Sequence, residues 1–218
     1  YFYSLNDAIL DYVESEKDLG VVINSKLNWN SHCIALASKA NQRLGFVRRT
    51  CHFILSSDQR RVLYLSLVRS IFEHCSPVCA PQTPGALNVI DLVQRRAIKW
   101  ILKEPFISYS DNEYLLKQRG LDILPIKSKF MFTDLVLFHW IVYGSVCIKL
   151  PDYVVKWEPK DVTRCTRSTK CISDGSDKLK FRCTVRPRIK AFENSFFIRT
   201  FKSWNNPDYH IIATHIQQ

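Results

Sequence analysis

The hydrophobic positions of this chain predict a short β-hairpin followed by a series of helices. Before residue 26 the apolar residues alternate loosely, and two β-rich segments, Tyr12-Val13 and Val21–Ile23, flank the charged segment Glu14–Asp18. We expect two short strands there, with the second ending at Asn24-Ser25. From Ser31 onward apolar residues recur every three or four positions, which is typical of a helix with one buried face.

Three predicted helices with short links cover residues 26–104. The first has its apolar positions at Cys33, Ala37, Ala40, Leu44 and Val47. The second begins after Ser56, because Gln59 completes a capping box, and we expect Pro77 to end it. Its apolar positions are Val62, Leu65, Val68, Phe72 and Cys75. The third follows the N-cap Thr83, with Pro84 in its first turn, and has apolar positions at Leu87, Ile90, Val93, Ala97 and Ile101.

The spacing remains helical beyond residue 105. Ser110 and Glu113 form a second predicted capping box, and Gly120 is the expected C-cap of that helix. Leu124-Pro125 then opens a longer helix that reaches Tyr143.

After Pro151 the pattern weakens. Residues 164–177 are polar and rich in turn formers, so we expect a loop there. A last helix is predicted from Pro187 to Trp204, with apolar positions at Ile189, Phe192, Phe196 and Phe197.

Charge separates the chain into an acidic start and two basic segments. Its 31 Lys and Arg residues outnumber 20 Asp and Glu residues, which gives a net charge of +11. Residues 1–25 contain five acids and one Lys, residues 26–103 contain twelve bases and three acids, and residues 160–202 contain twelve bases and four acids. Such segments favour a polyanionic partner such as nucleic acid, although solvated helix faces have a similar composition.

Cysteine usage and hydropathy indicate an intracellular protein that does not enter a membrane. Eight scattered Cys residues without a signal peptide are typical of reduced thiols, in the cytoplasm and nucleus. The longest apolar run, Leu135–Tyr143, is interrupted by His139 and is shorter than the roughly 20 residues of a membrane span. We expect it to form a buried helix.

A series of spaced blocks gives a more specific indication. In order they are Lys17–Val21, Leu27–Trp29, His32, Lys39-Ala40, Leu44–Arg49, Leu63–Ser70, Glu73, Cys75–Val78, Gln94–Arg96, Ser195–Phe197, Arg199-Thr200 and Trp204-Asn205. Together they resemble the region that joins the palm to the thumb in reverse transcriptases of non-LTR retrotransposons, the jockey and LINE-like elements. These proteins are RNA-directed DNA polymerases.

The resemblance implies a mainly α fold with four regions. Residues 1–25 would be an end-of-palm β-hairpin beneath the primer end, and residues 26–104 a three-helix, thumb-like bundle. Residues 105–150 would be a helical extension, and residues 151–218 a basic, loop-rich C-terminal region. The implied partners are RNA, RNA–DNA hybrid or duplex DNA, and the upstream palm and fingers of the same polyprotein.

The paired metal-binding aspartates of such polymerases are not found in this sequence. Two divalent ions about 4 Å apart need adjacent carboxylates, and no Asp-Asp, Asp-Glu or Glu-Glu pair occurs here. The chain begins with Tyr1, and the matching blocks begin at the last palm strands. We therefore expect a C-terminal piece of a longer protein that is not an enzyme by itself, with no catalytic residues, metal or cofactor.

The candidate nucleic-acid-binding residues are basic side chains on the first and third predicted helices. The first choice is Lys39, Arg43, Arg48 and Arg49, and the second is Arg95, Arg96 and Lys99. Because Lys39 and Arg43 are four residues apart, they project from the same side of a helix. Arg60 and Arg61 are expected in a solvated first turn.

Trp29 and His32 match one of the blocks but have two interpretations. An aromatic residue beside a helix start is expected to anchor the entering chain, and base stacking is the alternative. The sequence does not separate the two.

Three other functions are weaker alternatives. Zinc needs closely spaced ligand pairs, and the two groups here, His74 with Cys75 and Cys79 or Cys165 with Cys171 and Cys183, have no second close pair. Pro151-Asp152 followed by Glu158–Lys160 resembles a nuclease signature, but Pro159 is unsuited to a central strand. A helical protein-interaction module with solubilising bases is the first alternative to nucleic-acid binding, ahead of the metal-dependent nuclease.

Overall fold

The computed structural model describes residues 4–6, 8–9, 11–51, 55–81, 83–104, 110–157 and 180–205. The helices are α1 (Asn30–Thr50), α2 (Ser57–Leu63), a π-helical segment (Tyr64–Arg69), α3 (Ser70–Glu73), α4 (Ser76–Cys79), α5 (Pro84–Leu102), α6 (Asp111–Gly120), α7 (Ile126–Val142), α8 (Lys190–Glu193) and α9 (Phe196–Trp204). The strands are β1 (Ser4–Leu5), β2 (Ala8–Ile9), β3 (Ser15–Asp18), β4 (Val21–Asn24), β5 (Val154–Lys156) and β6 (Phe181–Cys183). The predicted mainly α class is confirmed, and the chain divides into two compact units, residues 1–130 and 131–218.

The second strand of the N-terminal hairpin is confirmed as β4, but the first strand lies later in the chain than the sequence predicted. β3 pairs antiparallel with β4, with Ser15 opposite Asn24. The turn residues Leu19 and Gly20 both have positive φ, +47° and +88°, as a tight two-residue hairpin turn requires. This turn sets the register, so the charged segment forms the first strand and the prediction of a strand at Tyr12-Val13 was wrong.

The first and third predicted helices of the bundle are confirmed as α1 and α5. All five predicted apolar positions of α1 are buried, and α1 packs chiefly against α5. Cys33, Ala37 and Ala40 are small, which lets the two helix backbones approach closely. On α5 the four later positions are buried, but Ala86 lies in the core in place of Leu87, which is partly exposed. The cap at Thr83 is present, because its Oγ1 accepts from the Ala86 N–H at 3.2 Å.

The second predicted helix differs in phase and in length. Its capping box is present, because the Gln59 N–H donates to Ser56 Oγ and the Ser56 N–H donates to Gln59 Oε1. The π-helical segment then rotates the buried face, because it has more residues per turn than an α-helix. Val62 is 58% exposed, and Tyr64 is fully buried in its place, whereas the predicted positions Val68 and Phe72 are buried as expected.

The end of this helix was also predicted wrongly. The helical path ends at Glu73, and Cys75 has a left-handed φ of +55°. Pro77 lies in the first turn of α4, where a missing N–H is tolerated, so it begins a helical turn and does not stop one.

A buried polar network joins the helices of the first unit. The Arg69 guanidinium donates to Glu73 Oε1 at 3.0 Å, to Gln94 Oε1 at 3.2 Å and to the Leu124 carbonyl at 2.8 Å. Tyr64 Oη also donates to Gln94 Oε1, at 3.0 Å. Gln94 thus accepts two hydrogen bonds inside the core, and burial raises the pKa of Tyr64 above its usual range.

Arg60 is buried, contrary to the expectation of a solvated first turn. Its Nη1 donates to the Trp100 carbonyl at 3.2 Å, and its guanidinium lies 5.8 Å from the Trp100 ring centroid. Arg61 is less buried and forms an ion pair with Asp122 at 2.9 Å.

Helices α6 and α7 are confirmed, but the predicted C-cap of α6 was wrong, because Gly120 is still helical and Leu121 is the C-cap. Ser110 Oγ accepts from the Glu113 N–H at 3.3 Å. Gly120 is the last helical residue of α6, and the left-handed residue that follows the helix is Asp122, with φ of +49°. The predicted buried helix at Leu135–Tyr143 has one buried face only, because Tyr143 is exposed.

The second unit has its own core, built on aromatic side chains. Phe138 packs edge-on against Phe181 and Trp204, with ring centroids 5.1 Å and 5.2 Å apart. Arg199 forms a two-point ion pair with Asp134 at 2.8 and 3.0 Å. Burial raises the pKa of Asp134, and Arg199 opposes that rise.

The last predicted helix is divided into α8 and α9, because Ser195 has extended backbone angles. The short β5–β6 pair was not predicted. The predicted loop at 164–177 lies outside the described residues. Among the described helices, none combines the length and the apolar composition that a bilayer-spanning segment requires.

Candidate nucleic-acid interface

Among the elements that the structure describes, helix α1 has the largest excess of basic over acidic side chains. It contains Lys39, Arg43, Arg48 and Arg49 and has no Asp or Glu. Lys39, Arg43 and Arg49 are exposed, and Arg48 is partly buried. The apolar face of α1 is buried in the core, so these bases lie on the flanks and the outer face.

Lys39 and Arg43 lie on the flank of α1 that faces the hairpin and α3. At about 100° per residue, Lys39 and Arg43 follow His32 and Leu36 along one side of the helix. His32, Leu36 and Lys39 line a cleft that also contains Ile71 of α3. Lys39 and Arg43 therefore project from the same side of α1, as their spacing of four residues predicted.

Arg48 lies on the opposite flank of α1, which faces α5, and Arg96 of α5 lies beside that flank. Arg48 is close in helical angle to Asn41, and Asn41 Oδ1 accepts from Arg96 Nη1 at 3.0 Å. Arg49 lies between the two flanks, and its Nη1 is near the position that a Cβ on Gly45 would occupy. Lys39 and Arg43 therefore lie on one basic flank and Arg48 and Arg96 on the other, with Arg49 on the outer face between them.

The predicted binding residues differ in whether their side chains already have hydrogen-bond or ion-pair partners. Lys39, Arg43 and Arg49 form no side-chain hydrogen bond or ion pair within the part of the chain that the structure describes. Arg95, in contrast, pairs with Asp91 at 2.9 Å and with Asp111 at 2.8 Å. Its charge is thus compensated before any ligand binds.

Arg95 also stacks over Tyr114, 4.0 Å from the ring centroid. Tyr114 Oη donates to Asp91 Oδ1 at 2.9 Å, and burial together with Asp91 raises the pKa of Tyr114. Arg95 therefore has a structural role in joining α5 to α6. Lys99, the last of the predicted residues, is partly buried on α5.

Two histidines connect the hairpin to the helices beside Lys39. The Val22 N–H donates to His32 Nδ1 at 3.2 Å, and His74 Nε2 lies 3.3 Å from the Leu19 carbonyl oxygen. Burial lowers the pKa of His32, and the neighbouring His74 lowers it further. Both histidines line the same cleft as Lys39, together with Lys17.

Sequence reasoning missed Lys17 and His74 as members of this surface. Both fall within the blocks or beside them, but the three segments that meet here are far apart in sequence. Trp29 packs against the core of the first unit and His32 is buried, as expected for residues that anchor the chain.

The weaker alternatives gain little from the geometry. The described residues contain no group of three or more His, Cys, Asp and Glu side chains placed to hold a metal ion. Cys79 Sγ donates to the Cys75 carbonyl at 3.1 Å, and Asp152 is exposed. Cys165, Cys171 and Glu158–Lys160 lie outside the described residues.

The fold and the surface together define a mainly α-helical protein whose helix α1 has three exposed cations, Lys39, Arg43 and Arg49, without an ion pair among the described residues. Comparisons of the chain with protein-family models, with curated proteins and with solved structures each give no significant match. The sequence blocks and the basic side chains of α1 are therefore the observations that bear on function.

Proposed function

We propose that this protein binds the sugar-phosphate backbone of a nucleic-acid duplex, as the thumb-like and C-terminal part of a reverse transcriptase. The sequence blocks indicate the non-LTR retrotransposon type. The observation that supports binding most strongly is the set of three exposed cations, Lys39, Arg43 and Arg49, on α1, a helix with no carboxylate along its length.

Uncompensated cations favour phosphate over other partners for a physical reason. Lys and Arg side chains already paired with carboxylates, such as Arg95, gain little from a phosphate because a second anion must displace the first. Lys39, Arg43 and Arg49 lose no ion pair within the described residues when they meet a phosphate, and each contact releases condensed counterions.

The proposed substrate is an RNA–DNA hybrid or a related duplex, bound without sequence preference. A duplex with A-like geometry presents phosphates and 2′-hydroxyl groups, because its deep major groove hides the base edges. Lys39, Arg43 and Arg49 are the primary contacts in this proposal. Arg48 and Arg96 on the other flank, together with Lys99 on α5, are secondary contacts, and Arg95 stabilises the bundle.

Charge reversal on one flank tests the proposal. The double variant Lys39→Glu/Arg43→Glu should weaken binding to a blunt RNA–DNA hybrid by about 100-fold at low salt, since two phosphate contacts become repulsive. The measurement is fluorescence anisotropy with a labelled hybrid, and circular dichroism checks that the variant is folded.

The matched control is Arg119→Glu/Lys127→Glu, which changes the net charge equally at exposed positions of α6 and α7. It should lose far less affinity. Equal losses of affinity in both double variants would indicate that the net charge of the protein, and not the position of the charges on α1, determines binding. Unchanged binding in the α1 variant would contradict the role of this helix. Binding to a protein partner that persists at high salt, without duplex binding, would favour the interaction-module alternative.

A further inference from the structure

A cleft between the β3–β4 hairpin and the helices α1 and α3 has an unusual lining. Its volume is about 470 Å³, and its polar side chains are Lys17, His32, Lys39 and His74. Among the described residues that line it, none is acidic. The cleft is therefore suited to an anion and unsuited to a cation.

His32, one of the residues that line the cleft, has a buried ring nitrogen without a partner among the described residues. Nδ1 of His32 accepts from the Val22 N–H, so a neutral ring has its proton on Nε2. That Nε2 has no partner within the described residues, although His32 is only 1% exposed. An unpaired buried donor is unfavourable, and its burial keeps Nε2 out of reach of a ligand unless the neighbouring side chains move.

The remaining walls are apolar and held in place. Val22, Leu36 and Ile71 line the cleft. The hydrogen bonds from Val22 to His32 and between His74 and Leu19 fix the hairpin against the helices. The cleft is thus present before a ligand binds, which lowers the entropy cost of binding.

We propose that this cleft binds a single nucleotide unit. Lys17 and Lys39 bind its phosphate, and the flat base lies between the apolar walls. The volume falls in the range of small-molecule sites, about 300–1,000 Å³, which is far larger than a phosphate ion alone needs. The ligand is either a free mononucleotide or one unpaired nucleotide of a strand, and both have the same chemistry.

This inference goes beyond the proposed function, because backbone contacts along α1 do not require an occupied cleft. Lys39 belongs to both surfaces, whereas Lys17 and Ala35 belong to the cleft only. The decisive variants are therefore Lys17→Ala, which removes one phosphate ligand, and Ala35→Trp, which fills the cleft from an exposed position on α1.

The first arm of the test is calorimetric titration of the full chain with adenosine 5′-monophosphate, adenosine and inorganic phosphate. The nucleotide should bind saturably, and the other two at least about tenfold more weakly. Lys17→Ala should weaken nucleotide binding by about tenfold, and Ala35→Trp should abolish it. The controls Lys26→Ala and Ser38→Trp, at exposed positions that do not line the cleft, should bind as the unmodified chain does.

The second arm compares a blunt RNA–DNA hybrid with one that has a single unpaired nucleotide. If the unpaired nucleotide raises the affinity for the hybrid while the free nucleotide does not bind, and if Ala35→Trp removes this gain, the ligand is a nucleotide of a strand. Saturable binding of the free nucleotide identifies a mononucleotide source.

Three results would overturn the inference. These are the absence of binding in both arms, nucleotide binding that Lys17→Ala and Ala35→Trp leave unchanged, and phosphate binding as tight as nucleotide binding. Affinity for the blunt hybrid reports on the proposed function separately, so its loss with nucleotide binding retained would refute backbone binding and leave the cleft site intact.

Discussion

At the scale of single residues, the stability of the first unit depends on a few buried polar side chains. Arg69 is the clearest case, because its guanidinium donates to a carboxylate, a side-chain amide and a backbone carbonyl. We expect Arg69→Ala to lower the free energy of unfolding by about 3 kcal/mol, since it leaves Gln94 Oε1 and the Leu124 carbonyl without this donor in a buried site. Urea unfolding monitored by circular dichroism measures the loss.

Arg61 provides the matched control for this prediction. Its ion-pair partner Asp122 has a side chain that is 94% exposed, so Arg61→Ala should cost less than about 1 kcal/mol. Similar losses for the two variants would show that burial of Arg69 does not determine its contribution.

His32 makes the stability of the hairpin contact depend on pH. Burial lowers the pKa of His32 in the folded protein below its ordinary value of 6.5, so the unfolded chain binds the proton more readily. The stabilising contribution is complete above pH 6.5 and is lost as the pH falls through the lowered pKa of the folded state.

Unfolding measured from pH 7.5 to pH 5 checks this expectation. The free energy of unfolding of the unmodified chain should decrease over this range more than that of His32→Gln, which has no titrating group at this position. Parallel pH profiles for the two proteins would exclude His32 as the titrating group.

At the scale of elements, the cap of α2 is a local feature that the sequence identified correctly. Ser56 and Gln59 satisfy each other's backbone N–H groups. Ser56→Ala should therefore lower the free energy of unfolding by about 1 kcal/mol. Ser57→Ala, one residue along at an exposed position, should change it by less than about 0.5 kcal/mol, and thermal unfolding of the two variants gives the comparison.

Elements that are specified by neighbouring residues, through apolar spacing or a helix cap, were predictable. Elements in which the spacing of the buried residues changes along the chain were not. The single apolar face of α1 and the caps of α2, α5 and α6 follow from neighbouring residues. The π-helical segment shifts the buried face from Val62 to Tyr64, and no hydrophobic spacing reveals such a shift in advance. The strand β3 was missed because its charged residues oppose the usual strand composition, while the turn at Leu19-Gly20 fixed its position.

At the scale of the whole molecule, the candidate interface was predictable only in part. The shared side of Lys39 and Arg43 follows from their spacing along one helix. The pairing of Arg95 with Asp91 and Asp111, and the placement of Arg96 beside Asn41, depend on contacts between helices. Lys17 and His74 join Lys39 through tertiary packing alone, so the cleft has no signature in any one segment.

If Lys39, Arg43 and Arg49 on α1 bind phosphates, the affinity for a duplex must fall steeply as the salt concentration rises. The affinity of the unmodified chain for a blunt RNA–DNA hybrid should be measured from about 50 to 200 mM salt. About three to five phosphate contacts predict a slope of log affinity against log salt between about −2.7 and −4.5. A slope near zero, or no binding at the lowest salt concentration, would contradict the account.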